Sequence, residues 1–143
     1  MMTIQEKANE IVDEFSIFED WMDKYNYLID MGKEMEPMEE ESKTKQNLIS
    51  GCQSQLWLTA KYDKGKIYLK ADSDAIITKG IANVLIRVLN GETPDIILNY
   101  DLSFLDKIGL QEHLSPTRSN GLVSMIRQIK LYAVVFKSKY EQI

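Results

Sequence analysis

Cys52 and His113 are the only cysteine and the only histidine in a chain of 143 residues. A lone thiol cannot close an intramolecular disulfide, and one thiol with one imidazole falls short of a closed zinc site. No metal site is therefore expected. What remains to Cys52 is thiolate chemistry: attack on a disulfide, a peroxide or a persulfide, governed by its thiolate fraction and its access. A dithiol oxidoreductase needs a second, resolving cysteine. A carrier that takes sulfur from one protein and gives it to another needs one. Cys52 and His113 also leave room for a cysteine–histidine pair, should the fold bring them together. Against that stands a half-buried structural imidazole beside Leu114 and Pro116.

Cys52 sits in the polar tetrapeptide Gly51-Cys52-Gln53-Ser54, directly before a segment with the alternation of a strand. Gly51 frees the backbone there, so the sequence reads as a turn that presents a thiol. The competing reading is a small core hydrophobe, the commoner fate of an isolated cysteine. The polar neighbours weigh against it without removing it. Other familiar sites are missing from the sequence. The seven glycines are dispersed singly, with no phosphate-loop or dinucleotide pattern. Glu34 to Glu41 is an acidic run around Pro37 that reads as a solvated linker or helix edge.

The elements that must position Cys52 follow from periodicity. Thr3 with Glu6, and Ser16 with Glu19, have the spacing of capping boxes. The second is expected to open an amphipathic helix with Phe18, Trp21, Tyr25, Leu28 and Ile29 on one face. Gln55 to Tyr62 alternates as a strand, Asp63-Lys64-Gly65-Lys66 is a turn, and Ile67, Leu69 and Ala71 alternate again, which predicts a β-hairpin. Asp72-Ser73-Asp74 supplies candidate caps for a helix over 75–89, whose stripe is Ile77, Ile81, Val84, Leu85 and Val88 and which Asn90-Gly91 ends. Thr93-Pro94 opens a short helix. A long helix over 119–140 carries Leu122, Met125, Ile126, Ile129, Ala133 and Phe136 at three- and four-residue steps. The expected fold class is α+β: a small antiparallel sheet with helices packed on one face.

Composition narrows the partners. One core, and hence a single domain over 1–143, suits this length. A net charge of −5 with 17 scattered basic residues argues against nucleic acid. The apolar runs are too short for a membrane span, and no export signal opens the chain. A single unpaired cysteine suits a reducing compartment, with the cytoplasm as the expected location.

Three blocks of the chain resemble the SufE family of sulfur-acceptor proteins. Gly51-Cys52-Gln53-Ser54 followed by Trp57 resembles the family's persulfide loop entering its strand. Asp72-Ser73-Asp74-Ala75 with Lys79-Gly80 resembles its turn into the central helix. Gly109-Leu110 and His113-Leu114-Ser115-Pro116-Thr117-Arg118-Ser119-Asn120-Gly121-Leu122 resemble its signature before the last helix. The likeness runs from about Phe15 to Ala133. It implies a fold shared with the NifU-like iron–sulfur scaffold proteins. It also implies that Cys52 takes persulfide sulfur from a cysteine desulfurase (SufS-like or CsdA-like), stimulates that enzyme, and passes the sulfur to a scaffold complex (SufBCD-like). No cofactor is expected on the chain, since pyridoxal phosphate would belong to the desulfurase. Cys52 is then the reacting residue, and Gly51, Gln53 and Ser54 form the active loop. Asp74 and Arg118, each beside a helix start, are the candidates to hold that loop in a sheltered resting position. His113 and Trp57 read first as packing residues. The alternative is a one-cysteine thiol peroxidase or redox sensor, which would gain oxygen rather than sulfur.

Overall fold

Helix α1, Ile4–Ser16, opens with the predicted capping box: Thr3 Oγ1 accepts the Glu6 N–H at 3.1 Å and Glu6 Oε1 accepts the Thr3 N–H at 2.9 Å. The computed structural model describes residues 2–49 and 54–141, with the backbone alone at Gln111 and Thr117. Helix α2, Trp21–Glu34, does not start from the second predicted box. Ser16 is the last residue of α1 and donates to the Asp13 carbonyl at 2.8 Å, because burial of Phe15 carries α1 that far. Asp20 caps α2 instead, accepting the Asp23 N–H at 3.0 Å.

Strands β1 (Leu56–Asp63) and β2 (Lys66–Ser73) form the predicted hairpin, antiparallel from Leu56 opposite Ser73 to Asp63 opposite Lys66. Its tight turn places both Lys64 (φ 53°) and Gly65 (φ 84°) in the left-handed region, the geometry that matches the twist of a hairpin. Leu56 and Leu58 of β1 and Ile67, Leu69 and Ala71 of β2 share one face and are buried. On that face lie α3 (Ile76–Leu89) and α7 (Pro116–Tyr140); Tyr132 of α7 donates to the Leu58 carbonyl at 3.4 Å. The opposite face carries Lys61, Asp63, Tyr68 and Lys70, all exposed. This is the expected α+β arrangement. The acidic segment is solvated as expected, with Glu34 at the end of α2 and Glu34, Glu36, Glu39, Glu40 and Glu41 all exposed, although Met38 within it is buried at 6% exposure. Glu40–Ser42 and, further on, Lys45–Asn47 form 3-10 turns.

Helices α2 and α3 cross backbone to backbone. A Cβ on Gly80 would stand 2.1 Å from the Leu28 carbonyl oxygen, and one on Gly32 would stand 2.5 Å from that of Ile76. Asn83 Nδ2 adds a bond to the Met31 carbonyl at 2.8 Å. The stripe read for α3 is the buried one, and Asn90 ends the helix while its Oδ1 accepts the Leu69 N–H at 2.7 Å. Short α4 (Pro94–Asn99) follows its Thr93 cap as predicted. Two short helices, α5 (Phe104–Ile108) and α6 (Leu110–His113), then lead into α7, which starts three residues before the predicted 119. Pro116 at its first turn explains that start. Among the described residues no helix is long and apolar enough to cross a membrane.

Candidate functional site

The strand that follows Cys52 is tied at its first residues. Ile49 N–H donates to the Leu56 carbonyl at 2.8 Å, and Leu48 bridges Trp57, so the chain entering the loop is already a rung beside β1. On the exit side, Gln55 is held by the end of β2. Its N–H donates to Asp74 Oδ1 at 3.0 Å, its carbonyl accepts the Asp74 N–H at 3.3 Å, and Ser73 Oγ donates to the same carbonyl at 2.5 Å. The segment between these two anchored ends contains Gly51, Cys52 and Gln53, which lie outside the described residues. Ser54, at its exit, is half-buried.

Asp74 is therefore not a helix cap. The cap position of α3 is Ala75, with no side-chain cap bond, and Ser73 Oγ accepts the Ala75 N–H at 3.1 Å. Gln55 takes the Asp74 carboxylate, because the hairpin register places it directly beyond the Leu56–Ser73 pair, while the Ser73 hydroxyl serves both Gln55 and Ala75. Arg118, in the first turn of α7, makes its described contacts with α2. Its Nη1 donates to the Tyr25 hydroxyl at 2.6 Å and its guanidinium stands 5.5 Å from that ring's centre. One turn earlier on α2, Trp21 stacks on His113 with ring centres 4.5 Å apart. Gly109, at φ 79°, lets α6 turn so that His113 reaches this stack. So α2 presents Trp21 and Tyr25 as a two-aromatic seat for the segment between α6 and α7. His113 stacks on Trp21 but is exposed, so it is not the half-buried imidazole expected from sequence, and the described contacts of Arg118 are with α2.

The sequence offers Asp72 only as a possible cap, and the structure gives it a larger part. It is 3% exposed, on the otherwise solvated sheet face opposite Trp57. Its Oδ2 accepts the Met38 N–H at 3.0 Å and its Oδ1 the Ser73 N–H at 2.8 Å; Lys43 Nζ stands 3.3 Å and Lys79 Nζ 3.4 Å from its oxygens. Burial alone would raise its pKa, but the two N–H donors and the two ammonium groups outweigh this and hold the carboxyl below its usual range. Lys43 also lies over the half-buried Trp57 ring at 5.5 Å. The signal available in sequence was the run of three polar residues at the end of an alternating strand. Among the described residues no cluster of three or more His, Cys, Asp or Glu side chains is placed to hold a metal ion.

Residues 9–133 match the family described as SufE, an Fe–S metabolism associated domain. The chain belongs to the SufE family. It is 39% identical over 127 residues to an uncharacterised SufE-like protein of Rhizobium meliloti (strain 1021), covering 85% of this chain and 91% of that one. It is 36% identical over 135 residues to an uncharacterised SufE-like protein of Synechocystis, covering 94% and 85%. It is also 36% identical over 137 residues to SufE-like protein 1, chloroplastic/mitochondrial, of Arabidopsis thaliana, covering 95% of this chain and 37% of that longer one. A solution structure of a hypothetical protein from Thermus thermophilus superposes with a TM-score of 0.73 at 21% identity, over 90% of this chain and 94% of that chain, a likeness of fold. Membership of the SufE family ties the chain to iron–sulfur metabolism. Of the three sequence blocks, the second falls at the Asp72–Asp74 corner and the third at the α6–α7 segment seated on α2, while Gly51, Cys52 and Gln53 of the first lie outside the described residues.

Proposed function

We propose that this protein is a sulfur acceptor and carrier for iron–sulfur cluster assembly, with Cys52 as the residue that holds the sulfur. In the transfer, the Cys52 thiolate attacks the outer sulfur of a cysteine persulfide on a cysteine desulfurase. A sulfur–sulfur bond forms on Cys52, the bond to the enzyme's own cysteine sulfur breaks, and the electron pair leaves with that cysteine as a thiolate. No external oxidant or reductant is consumed. Taking the sulfur away clears the enzyme for another turnover, which is how the chain stimulates it, and a scaffold complex receives the sulfur next. Pyridoxal phosphate belongs to the desulfurase. The cytoplasm, a reducing compartment, suits a protein whose one thiol must stay free.

The observation that carries this reading is the pair of anchored ends around the family's cysteine loop. The Ile49–Leu56 and Gln55–Asp74 bonds fix the positions at which the chain leaves the fold before Cys52 and rejoins it after. A thiol that is to pass between two larger partners needs such a fixed base on either side of it. The test is desulfurase turnover, read as alanine release from cysteine, with and without this protein across several candidate desulfurases. Stimulation by the wild-type chain and none by Cys52→Ser is expected. No stimulation of any of them removes the activator role.

A further inference from the structure

A carboxylate as buried as Asp72 is costly unless every partner is in place, and an apolar residue would fill the same space without that cost. What the charged arrangement supplies is a defined geometry among separate parts of the chain. Met38 and Lys43 belong to the arm between α2 and β1, whose next residues, 44–49, run into the loop. Lys79 belongs to the first turns of α3. Asp72 itself is joined in sequence to Ser73 and Asp74, which hold Gln55 at the loop's exit. The same side chain thus fixes the arm that leads into the loop and the corner that receives the chain leaving it. Lys43 extends the link to β1 through the Trp57 ring, since Trp57 and Asp72 are cross-strand partners.

We infer that Asp72, with Lys43 and Lys79, is a positioning hub that sets the separation and orientation of the two ends of the Cys52 loop. This rests on the sulfur-acceptor reading for its purpose and on the described geometry for its substance. Asp72 touches no sulfur. It acts through Lys43 and the Met38 backbone on one side and through Ser73 and Asp74 on the other. Loss of a link leaves the loop ends free to part, and the rate at which Cys52 reacts with small reagents is expected to rise.

The test is the rate of Cys52 alkylation by iodoacetamide in the full chain, without desulfurase and well below the unfolding temperature. Lys43→Met and Asp72→Asn are each expected to raise that rate about fivefold, the change in open population that a modest local destabilisation gives. Lys43→Arg keeps a cation over Trp57 and beside Asp72 and is expected to restore the wild-type rate. Glu14→Gln is the control. It weakens the separate ion pair with Arg87, 2.6 Å away between α1 and α3, and is expected to lower the unfolding temperature without changing the alkylation rate. Wild-type rates in Lys43→Met and Lys79→Met would overturn the hub, as would an equal rise in Glu14→Gln; these two lysine variants serve if Asp72→Asn fails to fold. Sulfur loading by a desulfurase is scored separately. Normal loading with unchanged alkylation in the variants rejects the hub alone, whereas a wild-type chain that never loads rejects the sulfur-acceptor reading.

Discussion

Asp74 shows how a single side chain changes meaning between sequence and structure. Beside a helix start it has the composition of a cap, yet its carboxylate accepts from Gln55, nineteen positions back across the hairpin. The distinction matters for mutation. Asp74→Ala removes a bond at an exposed site and is expected to cost about 1 kcal/mol of stability. Its larger effect should fall on the loop exit, seen as faster Cys52 alkylation in the free protein, while Asp74→Asn, which keeps an acceptor, should lie between. Equal rates in all three would separate Asp74 from the loop. Arg118, paired with Asp74 on sequence grounds as a tether, has its described contacts with Tyr25. Tyr25→Phe removes that bond and keeps the ring. If the seat on α2 is what places Arg118, desulfurase stimulation should fall in Arg118→Ala and fall partly in Tyr25→Phe, with Cys52 alkylation unchanged in both.

At the scale of elements, what could be read from sequence was what periodicity and turn chemistry encode. The hairpin, the buried stripe of α3, the Thr3 and Thr93 caps and the long last helix all appear where alternation, three- and four-residue steps or capping residues placed them. Helices α5 and α6 did not, because five and four residues are too few to show a helical period. The Ser16 cap misled because the pattern S-x-x-E is satisfied equally by a helix end followed closely by a helix start. The closeness of α2 and α3 was also invisible: Gly32 and Gly80 are isolated glycines in helical stretches, and only the crossing explains them. A methyl on Gly80 meets main chain, which cannot move aside as a side-chain tip can. Gly80→Ala is therefore expected to destabilise the fold by about 3 kcal/mol, despite alanine's better helix propensity. Chemical denaturation measures this directly; a neutral or stabilising result would mean that the helices can separate without cost.

At the scale of the whole molecule, the pH range of stability follows from groups tied between elements. Asp72 and Glu14 both have carboxyls held below their usual range, Glu14 chiefly by its bond to Arg87. A group whose folded pKa is depressed contributes stability that is full above its unfolded pKa and is lost as pH falls through the folded one. The unfolding temperature should therefore be flat near neutral pH and fall below about pH 4, with a shallower acid limb in Glu14→Gln. Tyr27, bonded to Glu14, works on the alkaline side: burial and that carboxylate push its hydroxyl up to about 12, so its contribution holds below about pH 10 and fades above it. The site was legible in part. One cysteine, its polar loop and the three family blocks stand in the sequence. The hub of Asp72, Lys43 and Lys79 does not, since it joins residues that only the hairpin register and the path of the acidic arm bring together. The most direct test of the central claim is the intact mass of the protein after incubation with a cysteine desulfurase, its pyridoxal phosphate and cysteine. The wild-type chain should gain one sulfur atom, removable by a thiol reductant, and folded Cys52→Ser should gain none. A wild-type chain that stays unmodified with every desulfurase tried, or a Cys52→Ser chain that loads equally well, would contradict it.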